Sequence, residues 1–313
     1  MLGKTAGGLF WMSRNLERSE NTARLVEAGF RIALTRSQDA EEEWKSVITT
    51  AGVRTGFEQR FENYSAAHAL EYLLRDRTNP SSVLSVVENS RQNARMVRTA
   101  LTTEVWEAVN ESWIVLKDVL KKPVRETELP EVLRVIRSQS ALVRGAVHGT
   151  MLRTDIYAFL RLGTFLERAD NTARIIDVKY YTLLPTAAAV GSRLDNVQWE
   201  MVLRSVSAHR AFRWLNESEM TPASVAQFLI LDKRLPRSLL FSIGQVAAHL
   251  RKLGEDYGQD APCKSEAQAL LNRLEGRTIQ SIFEVGLHDF TVDFIAANNR
   301  LGAAIENDYR FIS

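Results

Sequence analysis

The sequence predicts an all-α protein built as a tandem-duplicated helical bundle of two pseudo-twofold-related halves, and three observations carry the prediction. The stretch Leu16-Glu17-Arg18-Ser19-Glu20-Asn21-Thr22-Ala23-Arg24-Leu25 returns 150 residues later as Leu166-Glu167-Arg168-Ala169-Asp170-Asn171-Thr172-Ala173-Arg174-Ile175, with seven of ten positions identical. Apolar residues recur at helical spacing, and no segment alternates apolar and polar residues between turn signals as a half-buried strand requires. Proline, glycine and capping residues punctuate the chain into about ten to twelve helices of ordinary length. A repeat decides the architecture, and its period here is half the chain rather than the short unit of a solenoid.

From Leu9 to Arg36 there is no proline and one glycine, Gly29, while Leu9, Met12, Leu16, Ala23, Val26 and Ala33 keep helical spacing. This predicts a long helix carrying the first copy of the motif. The Gly-rich start, Gly3 to Gly8, has no strand before it, so it reads as a mobile terminus rather than a phosphate-cradling loop. Glu41 to Thr50 reads as a second helix with Trp44 inward and Gly52 closing it, and Ser65 to Asp76 as a third. Asn79-Pro80 is a start signal, predicting a helix from Pro80 to about Thr99. Thr102 or Thr103 caps the next helix, which Pro123 stops after Lys122. Pro130 opens a helix through about Val147, with Gly149 just past it.

The second half repeats the grammar. A long helix over about Thr154 to Leu184 carries the second motif and ends at Pro185. Trp199 takes the place of Trp44 at an offset of 155, and Phe228 to Asp232 with Leu235-Pro236-Arg237-Ser238 parallels Tyr72 to Asp76 with Asn79-Pro80-Ser81-Ser82 at 156. Slowly growing offsets point to duplication of a whole half with small insertions. The expected halves are 1–150 and 151–313, forming one unit with a shared core. A helix follows Pro236 to about Lys252, Gly254 to Pro262 is the most linker-like segment, and a last long helix runs from about Thr278 to Tyr309.

Hydrophobic residues make up 45% and charged residues 25% of the 313, the range of an ordinary globular protein. The net charge of +2 gives no basic field to favour nucleic acid or anionic membrane as a partner. Cys263 is the only cysteine, so neither an intramolecular disulfide nor a cysteine metal cluster can form. With no signal-peptide pattern and no uncharged run of about 18 residues, the expected location is the cytoplasm.

On a helix, Glu17, Asn21 and Arg24 share one sector, flanked by Arg14 and Glu20, with Arg18 to one side; Glu167, Asn171, Arg174 and Arg168 repeat the row. Such a row is commonly a solvated face, yet a solvated face has little reason to recur identically in halves that have otherwise diverged. Two readings stand. In one, the motif helices pack together and Glu17 meets an arginine of the second copy while Glu167 meets one of the first, with Asn21 and Asn171 adding hydrogen bonds. In the other, the same groups converge on a cleft and bind an anionic or zwitterionic ligand.

With its repeated Leu-Glu-Arg, Asn79-Pro80-Ser81-Ser82, Asn93-Ala94-Arg95, Trp106-Glu107 and the run Leu162 to Asp170, the chain resembles the alpha-E family over its whole length. This is a bacterial all-helical family known by its Glu-Arg motif and otherwise of unknown function. The resemblance implies genes beside circularly permuted ATP-grasp proteins and transglutaminase-like proteins, sometimes with a proteasome-like peptidase. ATP-grasp ligases join carboxylates to amines, so the implied setting is peptide or amide metabolism.

Resident chemistry is sparse. None of His68, His148, His209, His249 and His288 has a second His or Cys three or four residues away, and no Glu-x-x-His occurs, so neither a metal nor another cofactor is expected. Cys263 reads as an inert thiol, the set Arg91, Arg95 and Arg98 as a solvated basic stripe, and Trp106 and Trp113 as packing residues. The leading expectation is a non-catalytic accessory or binding protein that works with an ATP-grasp amide or peptide ligase. The alternative is an enzyme acting on an amide or peptide intermediate through the paired Glu-Arg motifs.

Overall fold

In a computed structural model, residues 1, 3–35, 40–183, 193–215 and 220–311 are described, and they hold fifteen α-helices and no strand. The count exceeds the expected ten to twelve because three short helices, α3 (Arg54–Glu58), α10 (His209–Leu215) and α14 (Ile279–Val285), fill stretches expected to be loop or part of a longer helix.

Two long helices form the axis, α1 (Gly3–Thr35) and α8 (Asp155–Leu183). They pack on each other, and their crossing is close because Gly163 of α8 lies against the α1 backbone: a Cβ there would come within 2.2 Å of the Phe10 carbonyl oxygen. On the α1 side lie α5 (Val83–Met96) and α7 (Leu129–Thr150), with α6 (Thr103–Val119) outside α7. On the α8 side lie α12 (Leu239–Tyr257) and α15 (Leu287–Asp308), with α13 (Pro262–Glu275) packed on both. Two helices cross between the halves: α2 (Ala40–Thr50) packs on α1 and α8, and α9 (Arg193–Ser205) packs on α8 and α1. Trp44 of α2 and Trp199 of α9 are both buried. The remaining helices, α4 (Ala66–Leu74) and α11 (Pro222–Leu231), lead into corresponding turns, in which Asp76 accepts from the Thr78 N–H and Asp232 from the Arg234 N–H. One hydrophobic cluster, from Ala6 to Ile305, runs through both halves.

Several boundaries differ from the expectation. The Gly-rich start is helical and packed, since a Cβ on Gly3 would come within 1.9 Å of the Arg310 carbonyl oxygen and one on Gly8 within 2.5 Å of Val97. Ser82, not Asn79, caps α5; Asn79 is spent inside the turn, donating to the Tyr72 carbonyl and accepting from the Ser81 N–H. Gly149 lies inside α7. The last helix breaks at Gly286, whose φ of +104° no L side chain adopts easily, so α14 and α15 replace one long element. The linker-like Gly254 to Pro262 is mostly ordered helix ends: α12 runs through Gly254 to Tyr257, Gly258 stops it at φ +66°, and Pro262 opens α13. The predicted helix ends at Arg36, Leu184 and Pro185 lie outside the described residues.

Candidate functional site

The motif copies meet where α1 crosses α8. Glu17 accepts from Arg168 with both oxygens, at 2.8 Å from Nε and 3.0 Å from Nη2. Glu167 accepts from Arg18 in the same way, at 2.6 Å and 2.8 Å. Glu17 and Glu167 are thus each gripped by the fork of the other copy's arginine, the strongest ion-pair geometry available to these groups. The flanking pairs also correspond. Arg24 bridges Glu20 one turn back and the Ser205 carbonyl of α9, while Arg174 bridges Asp170 one turn back and the Thr50 carbonyl of α2.

Around these matched pairs the halves differ. Glu17 and Glu20 are further bound by Arg144 of α7 and by Arg237, which precedes the cap of α12. Arg237 also donates to the Asn21 amide oxygen at 3.2 Å. At the other end Arg14 adds a 2.9 Å bond to Glu167, and Ser81 stands where the repeat places Arg237. Asn21 donates to the Glu167 carbonyl oxygen at 3.4 Å, but the amide oxygen of Asn171 is buried without a partner. Sequence reasoning placed Glu17, Arg18, Asn21, Arg24, Glu167, Arg168, Asn171 and Arg174 at one site, and all eight converge here. It missed Arg144 and Arg237. The signal for Arg237 was its departure from Ser81 in an otherwise matching turn; Arg144 carried none.

Burial works against ionising Glu17 and Glu167, and the arginines override it. Arg168, Arg237 and Arg144 hold Glu17 far below the usual carboxylate range, and Arg18 with Arg14 brings Glu167 to about 2. Burial also lowers Arg237 to about 10, still charged at neutral pH. Both glutamates are therefore fixed as carboxylates, and neither is poised to exchange a proton near neutrality.

Beside the network lies a cavity of about 230 Å³ lined by Arg18, Glu167, Asp170, Asn171 and Arg174, together with Ser81 and Gly52. Elsewhere, Cys263 is buried on α13, and burial pushes its thiol pKa up. Arg95 and Arg98 are exposed, and Arg91 is half-buried against Asn110. Trp113 is buried and Trp106 partly so. Among the described residues no group of three or more His, Cys, Asp or Glu is placed to hold a metal ion, and no helix is long and apolar enough to cross a membrane.

The sequence matches the family Alpha-E, described as a predicted alpha-helical domain with a conserved ER motif, over residues 1–309. It is also similar to an uncharacterized protein of Mycobacterium bovis and to two of Mycobacterium tuberculosis strains, each 24% identical over 92% of this chain. The chain spans about a third, 34%, of the length of these curated relatives. No solved structure matches it.

Proposed function

We propose that this chain, which belongs to the Alpha-E family, is a non-catalytic accessory or binding protein that serves an ATP-grasp amide or peptide ligase. The observation that carries this reading is the saturation of the motif: all four motif carboxylates, Glu17, Glu20, Glu167 and Asp170, are committed to arginines. A general acid or base needs a group that titrates near the working pH, and a nucleophile needs an activating base within reach. The motif instead acts as the joint between two halves that arose by duplication, 1–150 and 151–313, and holds a rigid helical body on which a substrate or partner is received. The matched region accounts for about a third of the curated relatives, which suits a module that works beside further parts. A transglutaminase-like protein is a further partner of this reading, and the cytoplasm its location.

The enzyme reading keeps one observation in its favour, the motif-lined cavity, on which Asn171, its amide oxygen unpartnered among the described residues, lies with Glu167 and Asp170. The deciding assay mixes the protein with the neighbouring circularly permuted ATP-grasp protein, amino acids and ATP, following phosphate release and amide products by mass spectrometry. The accessory reading expects product only when both proteins are present. Turnover of a peptide or amide by the isolated chain, lost in Glu17→Gln or Glu167→Gln with folding retained, would replace it with the enzyme.

A further inference from the structure

Among the described residues, Arg161 of α8 is the one buried arginine of this region in no salt bridge; Glu17, on the same recess, acts on it only at longer range. Only 8% of it is exposed, and among the described residues it forms neither a hydrogen bond nor an ion pair. Its guanidinium carbon lies 4.4 Å from the Phe165 ring centre and 5.9 Å from that of Tyr157, so aromatic faces are its support. A buried charge left in this way lowers stability, and such groups concentrate at sites selected for something other than stability.

Its guanidinium lines a recess between α1, α7 and α8, together with Ser13, Glu17, Ser140, Arg144 and Thr164. The surroundings are positive. Glu17 is already spent on Arg168, and Arg144 spans Glu17 and Glu20 through its two Nη atoms. The hydroxyls of Thr164 and Ser140 donate to carbonyls of their own helices, whereas the hydroxyl of Ser13, which lines the recess, makes no hydrogen bond among the described residues. Burial, then Arg161 and other nearby basic side chains, push both His148 and His249 down to about 4, so the adjoining imidazoles add no positive charge of their own at neutral pH.

We infer that this recess is a carboxylate-binding site, in which Arg161 supplies the fork and Arg144 and Ser13 supply further donors. The recess holds about 30 Å³, room for about two water-sized atoms and hence for the two oxygens of a planar carboxylate. A tetrahedral phosphate brings four oxygens, and a bidentate guanidinium fork matches the planar group. This assignment holds whichever partner the chain serves and uses none of the motif's paired groups as a ligand.

The test is thermal melting of the full chain, wild type and Arg161→Met, in sodium acetate, inorganic phosphate or sodium chloride at equal ionic strength and pH. Phosphate raises melting temperatures generally through exclusion from the protein surface, so the readout is the shift, relative to chloride, that wild type shows beyond Arg161→Met: acetate is expected to give one and phosphate is not. Arg161→Met should lack this extra acetate shift and melt no lower than wild type in chloride, since it removes an unpaired buried charge. If Arg161→Met does not fold, the Arg161 side-chain N–H signal in nitrogen-correlated spectra of the wild type decides: acetate should shift it and chloride should not. An acetate shift equal in wild type and Arg161→Met, a phosphate shift that differs between them as much as the acetate shift does, or an unmoved Arg161 signal would each overturn the assignment.

Discussion

The network assigns each motif side chain an electrostatic task, and those tasks set what single changes do. Glu17→Ala leaves Arg168 and Arg237 buried against each other without their shared carboxylate, so it should cost on the order of 3 to 5 kcal/mol in denaturant melts. A variant as stable as wild type would remove the structural role from the motif. Acid should weaken the protein in two stages. His249 is half-buried and neutral when folded, with its pKa pushed down to about 4, so the unfolded chain binds the extra proton and stability falls as pH drops from about 6.5 toward 4. Glu167 is held at about 2, so its contribution is complete above the unfolded value of about 4.3 and is lost as pH falls from there toward 2. His249→Phe should shrink the upper stage to the part that His148, also pushed down to about 4, contributes, and leave the lower one, as read from melting temperature against pH. The identities of the eight motif residues were legible in the sequence because a repeated charged row advertises itself. Arg161 was harder to read, its only trace being a charge inside the apolar run from Ile156 to Phe165.

At the scale of the element, the helices follow from caps and periodicity, and the errors fell where backbone geometry decides. Ser65, Ser82, Thr102, Thr221, Ser238 and Thr278 each cap a helix through a side-chain oxygen, a signal that composition alone displays. The kink at Gly286 was invisible because a glycine inside a helical pattern is ordinarily tolerated, and only its positive φ makes it a break. Gly3 and Gly8 misled in the opposite sense: glycine there permits close packing against Arg310 and Val97 rather than looseness. The same logic makes Gly163 the tightest constraint on the α1 and α8 crossing. Gly163→Ala places a Cβ against the fixed backbone of Phe10, which cannot rotate away, and should destabilise by about 1 to 3 kcal/mol. Alanine at the solvent-facing Gly145, where a Cβ meets nothing, should be neutral or stabilising by about 0.5 to 1 kcal/mol. Equal melts for the two variants would contradict the close crossing.

Across the whole molecule, the central claim is that the Glu-Arg motifs are a reciprocal joint between the two halves. The repeat announced that two motif helices should meet, and the arginine forks of Arg18 and Arg168 meet the carboxylates of the opposite copy. What the repeat does not carry is the asymmetry around the joint, because Arg237 and Arg14 reach it from positions that hold Ser81 and Thr164 in the other copy, and Arg144 joins them from α7. Neither half satisfies its own motif glutamate by its motif arginine, so residues 1–150 expressed alone should lack cooperative unfolding and gain it on mixing with residues 151–313, as followed by circular dichroism. The most direct measurement is a double-mutant cycle on Glu17 and Arg168, using Glu17→Gln, Arg168→Met and the double variant in denaturant unfolding. Direct pairing predicts a double variant less destabilised than the two singles together, by about 1.5 kcal/mol or more. Costs that add to within about 0.5 kcal/mol would mean that the two side chains do not act on each other, and would contradict the joint.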